Sequence, residues 1–225
     1  ILGRIEELSG KKYIPGDENT KAFRIIADHM RTSTFILGDP RGVSPSNVDQ
    51  GYILRRLIRR AVRYGMGLGL GNGFTCEIAK VIIDQYSDVY PELSENAAFV
   101  LEQLKLEEER FARTLKQGEK EFEKVYNNTM NTKALLESIL NAEDKVAFAQ
   151  EMAKIKKLRP SPDMMPIIEA ANSGDEAALV AAVENRKASL NVLDGRSAFK
   201  LYDTFGFPIE MTMELAAEKG LTVDE

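Results

Sequence analysis

Five arginines between positions 55 and 63 carry the strongest chemical signal in this chain. Arg55, Arg56, Arg59, Arg60 and Arg63 recur at i, i+1, i+4, i+5 and i+8. On a helix turning about 100° per residue they share one sector about 140° wide. Ile53, Leu54, Leu57, Ile58, Ala61 and Val62 fall in the opposite sector, which gives the helix an apolar back and a cationic front. Guanidinium forks suit phosphate oxygens bidentately. At 1.5 Å rise per residue the stripe spans about 12 Å, enough for two or three successive phosphates on one strand. The same residues could instead pair with glutamates, for instance those at 107–109, so an anionic ligand and a solvated, ion-paired face both remain open.

Two more polar residues could read a base edge. Asn47 precedes the arginine helix and offers a donor and an acceptor together, as base recognition requires. Its plainer role is an N-cap, and Ser46 with Asp49, or Asn47 with Gln50, has capping-box spacing. Asp203, in Leu-Tyr-Asp-Thr-Phe-Gly-Phe-Pro, reads either as a turn aspartate or as an acceptor for an exocyclic amine. Tyr202, Phe205 and Phe207 read as packing residues. His29 reads as an interior or surface histidine, and nothing around it suggests a nucleophile. The sequence has no phosphate-cradling glycine loop with a following lysine, no nucleophile elbow and no zinc-ligand spacing.

The elements that must position these residues are almost all helical. A stripe at Phe23, Ile26, Ala27 and Met30 predicts a helix over 19–37. The Gly/Pro loop at 38–42 separates it from the arginine helix, which the glycines of 65–73 end. A further helix is predicted over 75–87. Residues 95–126 read as one long helix, with Glu108 and Gly118 interrupting its apolar spacing and Asn127-Asn128-Thr129 marking a loop. Short helices fill 133–188, broken near 159–162 and 173–174. Asp194 caps another, and Pro208 stands where a last helix begins. The expected fold is all-α, a helical domain with a long helical hairpin arm. It divides into 1–126, an inserted helical segment at 127–190, and a return segment at 191–225 that completes the first part.

Composition narrows the partners. The chain has 225 residues, is 44% hydrophobic and 29% charged, and carries a net charge of −5. A protein that coats nucleic acid without selectivity is usually basic, so any nucleic-acid contact should be confined to one patch. One cysteine and one histidine leave no ordinary zinc site and no intrachain disulfide. No apolar run reaches the roughly 20 residues of a membrane span, so a cytoplasmic protein is expected. The abrupt start and end suggest a segment of a longer chain.

Three blocks then appear in a familiar order. Residues 24–64, with Arg-Ile-Ile-Ala-Asp-His-Met-Arg, Pro-Ser-Asn and Gly-Tyr-Ile-Leu-Arg-Arg-Leu-Ile-Arg-Arg-Ala-Val-Arg-Tyr, closely resemble the tRNA-recognition region of alanyl-tRNA synthetases. The stretch from Lys105, Lys-Leu-Glu-Glu-Glu-Arg-Phe-Ala-Arg-Thr-Leu-Lys-Gln-Gly, looks like the long helix that follows in that family. Residues 194–208, Asp-Gly-Arg-Ser-Ala-Phe-Lys-Leu-Tyr-Asp-Thr-Phe-Gly-Phe-Pro, look like its next signature. The resemblance implies a class II ligase that joins alanine to tRNA with ATP and magnesium, with a zinc-containing editing domain elsewhere in the parent. This stretch resembles the helical region alone, so it is expected to be non-catalytic by itself, with adjoining aminoacylation and editing domains as neighbours.

The resemblance further implies that Asn47 and Asp203 contact a G·U wobble pair in the acceptor stem from opposite grooves. A carboxylate suits the guanine 2-amino group in the minor groove, and an amide donor suits the major-groove oxygens. Arg55, Arg56, Arg59, Arg60 and Arg63 would then grip the backbone, with Arg41 adding a phosphate contact from a loop that looks longer than the family's usual form. The remaining alternative is a structural or protein-interaction module whose arginine face docks on an acidic neighbouring domain. Lys154, Lys156, Lys157 and Arg159 form a small basic cluster that reads as an RNA contact or as solvated surface.

Overall fold

The computed structural model describes residues 1–224 and is helical almost throughout, with eleven helices and two two-residue strands among the described residues. It divides into two units. Residues 1–118 and 203–208 form the first, and 119–202 with the described residues from 209 on form the second. The second unit begins at Glu119, and of the return segment only Asp203–Pro208 group with the first.

The first unit is built from α1 (Leu2–Ser9), α2 (Thr20–Gly38), α3 (Asp49–Leu68), α4 (Phe74–Tyr86), the short α5 (Glu92–Glu95) and residues 97–118 of α6 (Ala97–Asn141). α2 packs along α3, and α1, α4 and α5 close over α2. Their apolar stripes meet in one core: Phe23, Ile26, Met30, Leu54, Ile58 and Val62 are all fully buried. Ile53, placed on the apolar back by its spacing, is 48% exposed. It stands at the edge of the apolar sector, about 20° round the helix from Arg60. Glycine ends α1 and α3: Gly10 and Gly69 take left-handed φ values of 69° and 94° and close the helices as C-caps.

Helix α6 runs on through Asn127-Asn128-Thr129, where the sequence suggested a loop. The hydroxyls of Thr129 and Thr132 donate to the carbonyls of Val125 and Asn128, one turn back. Their polar groups are thereby satisfied inside the helix, and the turn propensity of the triplet is overridden.

The second unit comprises residues 119–141 of α6, α7 (Lys145–Lys154), α8 (Met165–Ser173), α9 (Glu176–Ser189), residues 195–202 of α10 (Gly195–Phe205) and α11 (Ile209–Glu218). Asp144, Asp175 and Asp194 each accept a bond from the backbone N–H three residues on and so start α7, α9 and α10. Leu136, Ile139, Leu158, Ile167, Leu179 and Val183 make its core. Strands β1 (Val192–Leu193) and β2 (Thr222–Val223) pair in parallel. No helix among the described residues is long and apolar enough to cross a membrane.

Candidate nucleic-acid interface

The arginine stripe splits into two halves. Arg55 and Arg59 differ by about 40° around the helix, while Arg56, Arg60 and Arg63 lie about 80–140° round from Arg55. The first pair is turned toward α6. Glu107 on α6 is 1% exposed, and its Oε1 lies 2.6 Å from Arg59 Nε and 3.4 Å from Arg55 Nε. The two arginine side chains are only 12% and 15% exposed. A carboxylate this deep is costly unless paired, and here it has two guanidiniums beside it. Of the 107–109 glutamates, Glu107 pairs with the stripe, in a buried clamp and not on a solvated face.

From that clamp each arginine reaches a different segment. Arg55 Nη1 donates to Asn47 Oδ1, and Nη2 reaches the Pro45 carbonyl at 3.5 Å. Arginine has donors only, so the Asn47 amide must turn its oxygen toward Arg55 and its NH₂ away. Asn47 is exposed. It is not the N-cap of α3. The helix starts at Asp49 with no side-chain cap, and the Ser46 hydroxyl bonds both backbone groups of Val48 instead. This tight loop also passes over Gly51, whose Ser46 N–H···O bond measures 3.0 Å. A Cβ on Gly51 would collide with Ser46 and with the Ser44 carbonyl.

Arg59 reaches the turn that follows Asp203. Its Nη1 donates to the Gly206 carbonyl, three residues after Asp203, and its guanidinium lies 5.2 Å from the Phe111 ring centroid. Gly206 has φ 70°, and a Cβ there would strike Arg59. Phe207, fully buried, meets Phe111 edge-on at 5.6 Å, and Thr114 Oγ1 donates to the Phe205 carbonyl at 2.8 Å. A Cβ on Gly118 would occupy the place of the Phe207 ring. The interruption at Gly118 is thus the seat that lets the 203–208 turn lie on α6. Asp203 itself is exposed. Of the aromatics near it, Phe207 is packed as expected, whereas Tyr202 is 36% exposed.

The other half of the stripe is also partly buried. Arg60 Nη1 lies 3.0 Å from His29 Nε2, and His29 Nδ1 lies 3.1 Å from Asp28. Since Arg60 can only donate, His29 accepts at Nε2 and carries its proton at Nδ1 toward Asp28. The guanidiniums of Arg60 and Arg63 stand 5.9 and 5.3 Å from the Tyr64 ring centroid. Arg41 is exposed on the 38–42 loop, where its backbone N–H donates to Asp39.

Glu108 was legible only as a break in an apolar pattern. It is 3% exposed and caps α4 from a distance, accepting from Gly73 N at 2.5 Å, Thr75 N at 3.2 Å and the Thr75 hydroxyl. Consecutive glutamates on α6 thus fix α3 and α4. Nearby, the Cys76 thiol donates to the Leu101 carbonyl at 3.4 Å, and burial, helped by the charge of Glu108, pushes its pKa up. No group of three or more His, Cys, Asp or Glu among the described residues is arranged to hold a metal ion.

The chain is a member of the family described as tRNA synthetases class II (A), whose model matches residues 1–154 and 172–225. That match runs well into the 127–190 segment and leaves only 155–171 uncovered. Among individual relatives it resembles alanine–tRNA ligases. The enzyme of Treponema pallidum (strain Nichols) is 37% identical over 224 residues, covering 100% of this chain and 28% of the relative. That of Anaeromyxobacter sp. (strain Fw109-5) is 36% identical over 226 residues, and that of Staphylococcus aureus (strain JH9) 34% over 224, covering 20% and 19% of those proteins. The chain therefore spans between about a fifth and 28% of the relatives it matches.

Proposed function

We propose that this chain is the acceptor-stem recognition region of an alanine–tRNA ligase, and that it reads a G·U wobble pair through Asn47 and Asp203. The observation that carries the reading is the polarity imposed on Asn47. With its oxygen held by Arg55, its amide presents a donor outward. A donor is what the guanine O6 and uracil O4 acceptors of the major groove demand. Asp203 supplies the acceptor for the guanine 2-amino group, which is unpaired in the wobble, engaged in G·C and missing from A·U.

The clamp gives the arginines two tasks. Arg55 and Arg59 position the readers, and Arg41, Arg56, Arg60 and Arg63 contact phosphates without reading sequence. In this reading ATP, magnesium, the editing zinc and the alanylation step belong to adjoining domains of a cytoplasmic parent, and this stretch supplies recognition alone.

Titration with acceptor-stem minihelices that differ only in the G·U, G·C or A·U pair tests the proposal. Tightest binding to G·U is expected, and equal binding to all three overturns it. ATP–pyrophosphate exchange by this chain alone would overturn its non-catalytic role. The competing reading, a module docking its arginine face on an acidic neighbour, is weakened for Arg55 and Arg59, because their acidic partner is Glu107 of the same chain. It predicts no minihelix binding.

A further inference from the structure

The second unit holds a cleft of about 860 Å³ whose walls are cationic although the whole chain is acidic. Lys157, Arg159 and Arg186 line it, and no carboxylate does. Two of these cations belong to the basic cluster noted in the sequence. Both are exposed, and neither has a carboxylate partner among the described residues. They stand on a fixed turn. Leu158, between them, is 1% exposed in the core, and the N–H groups of Lys157 and Leu158 both donate to the Met152 carbonyl, at 2.9 and 3.1 Å. Lys156 takes a left-handed φ of 57° to let this happen.

Arg186 on α9 completes the set. Its Nη1 donates to Ser189 at 3.0 Å, its Nη2 pairs with the exposed Asp163 at 3.3 Å, and its Nε is buried without a hydrogen-bond partner. Asp163 offsets that one charge and leaves those of Lys157 and Arg159. The volume far exceeds that of a lone phosphate, and Leu135, Phe148, Met152 and Met164 give an apolar surface. Asn128 and Asn131, one turn apart on α6, are exposed and bring amide donors and acceptors to the same cleft. Lys157 and Arg159 lie within 155–171, the stretch the family model leaves unmatched.

We infer that this cleft binds a nucleotide, with the phosphate on Lys157 and Arg159 and the base over the apolar surface within reach of Asn128 and Asn131. The nucleotide is either a free monophosphate or one residue of an RNA strand. The test uses the 225-residue chain with two probes, AMP and a single-stranded RNA octamer, each titrated calorimetrically and followed by hydrogen exchange over residues 155–164.

Binding with protection of 155–164 is expected. The exposed double substitution Lys157→Glu/Arg159→Glu should weaken it at least tenfold, and Lys157→Arg/Arg159→Lys should largely restore it. Loss of two phosphate-facing cations should also lower the salt slope for the octamer by about 1.4. Dependence on the pair for AMP identifies a free-nucleotide site, and dependence for the octamer alone identifies an RNA-strand site. Failure of both probes to bind overturns the inference, as does binding that the charge reversal leaves unchanged or that protects only residues outside 155–164. Circular dichroism melting of each variant checks that it folds. Because the readout lies in the second unit, failure here leaves the wobble-reading proposal standing, and the reverse also holds.

Discussion

Glu107 lies under two guanidiniums, one bonded to Asn47 and the other to the turn that follows Asp203. Its removal should therefore affect stability and selectivity at once. Glu107→Ala leaves Arg55 and Arg59 uncompensated in a nearly dry site, at a cost of about 3–5 kcal/mol in urea unfolding. Asn47→Asp isolates the reading function. It keeps, and strengthens, the contact with Arg55 but replaces the outward donor with an acceptor. Binding to a G·U minihelix should weaken by about 1–3 kcal/mol while the fold holds. Unchanged G·U affinity in that variant would remove Asn47 from the readers. Cys76 offers a pH test. Its folded pKa is raised by burial, so the stabilisation tied to the protonated thiol is complete below the unfolded value of about 8.5 and disappears as pH rises through the higher folded value. The native thiol should react slowly with alkylating reagents at pH 8, and denaturant should accelerate the reaction.

At the level of elements, α6 is the organiser. Glu107 holds α3, Glu108 caps α4, and the Gly118 position receives Phe207. Glu108→Ala should cost about 0.5–2 kcal/mol for the lost cap, with a further penalty for the buried donors it strands. Gly51→Ala should overpack the loop that carries Asn47, at about 1–3 kcal/mol, and should impair wobble discrimination. Thermal melts and minihelix titrations check both. The helices themselves were readable from apolar spacing, the end of α3 from the glycines of 65–73, and the start of α10 from Asp194. The continuation of α6 through Asn127–Thr129 was not, because local turn propensity is blind to the back-bonded threonines and to the packing that keeps the helix going.

For the whole molecule, the prediction concerns salt. An acidic chain should bind RNA only where positive charge is concentrated. If Arg41, Arg56, Arg60 and Arg63 meet about four phosphates, the slope of log K against log salt should lie near −3 to −4 for a duplex. A slope that includes Arg55 and Arg59 would be steeper by about two, and a value of about −5 to −6 would mean that the clamp opens on binding.

What the sequence determined by itself was the helical class, the amphipathic arginine helix, the family resemblance and the identity of the two exposed polar candidates. These follow from local spacing and motif order, which a linear chain displays directly. Only the tertiary structure decided the division of labour within the stripe. All five arginines are equivalent as positively charged residues on one helical sector. They cease to be so when a buried carboxylate from α6, 48 residues beyond Arg59, arrives beside two of them. That contact turns Arg55 and Arg59 toward the interior, because a buried carboxylate must be paired, and through them it orients Asn47 and secures the turn that follows Asp203.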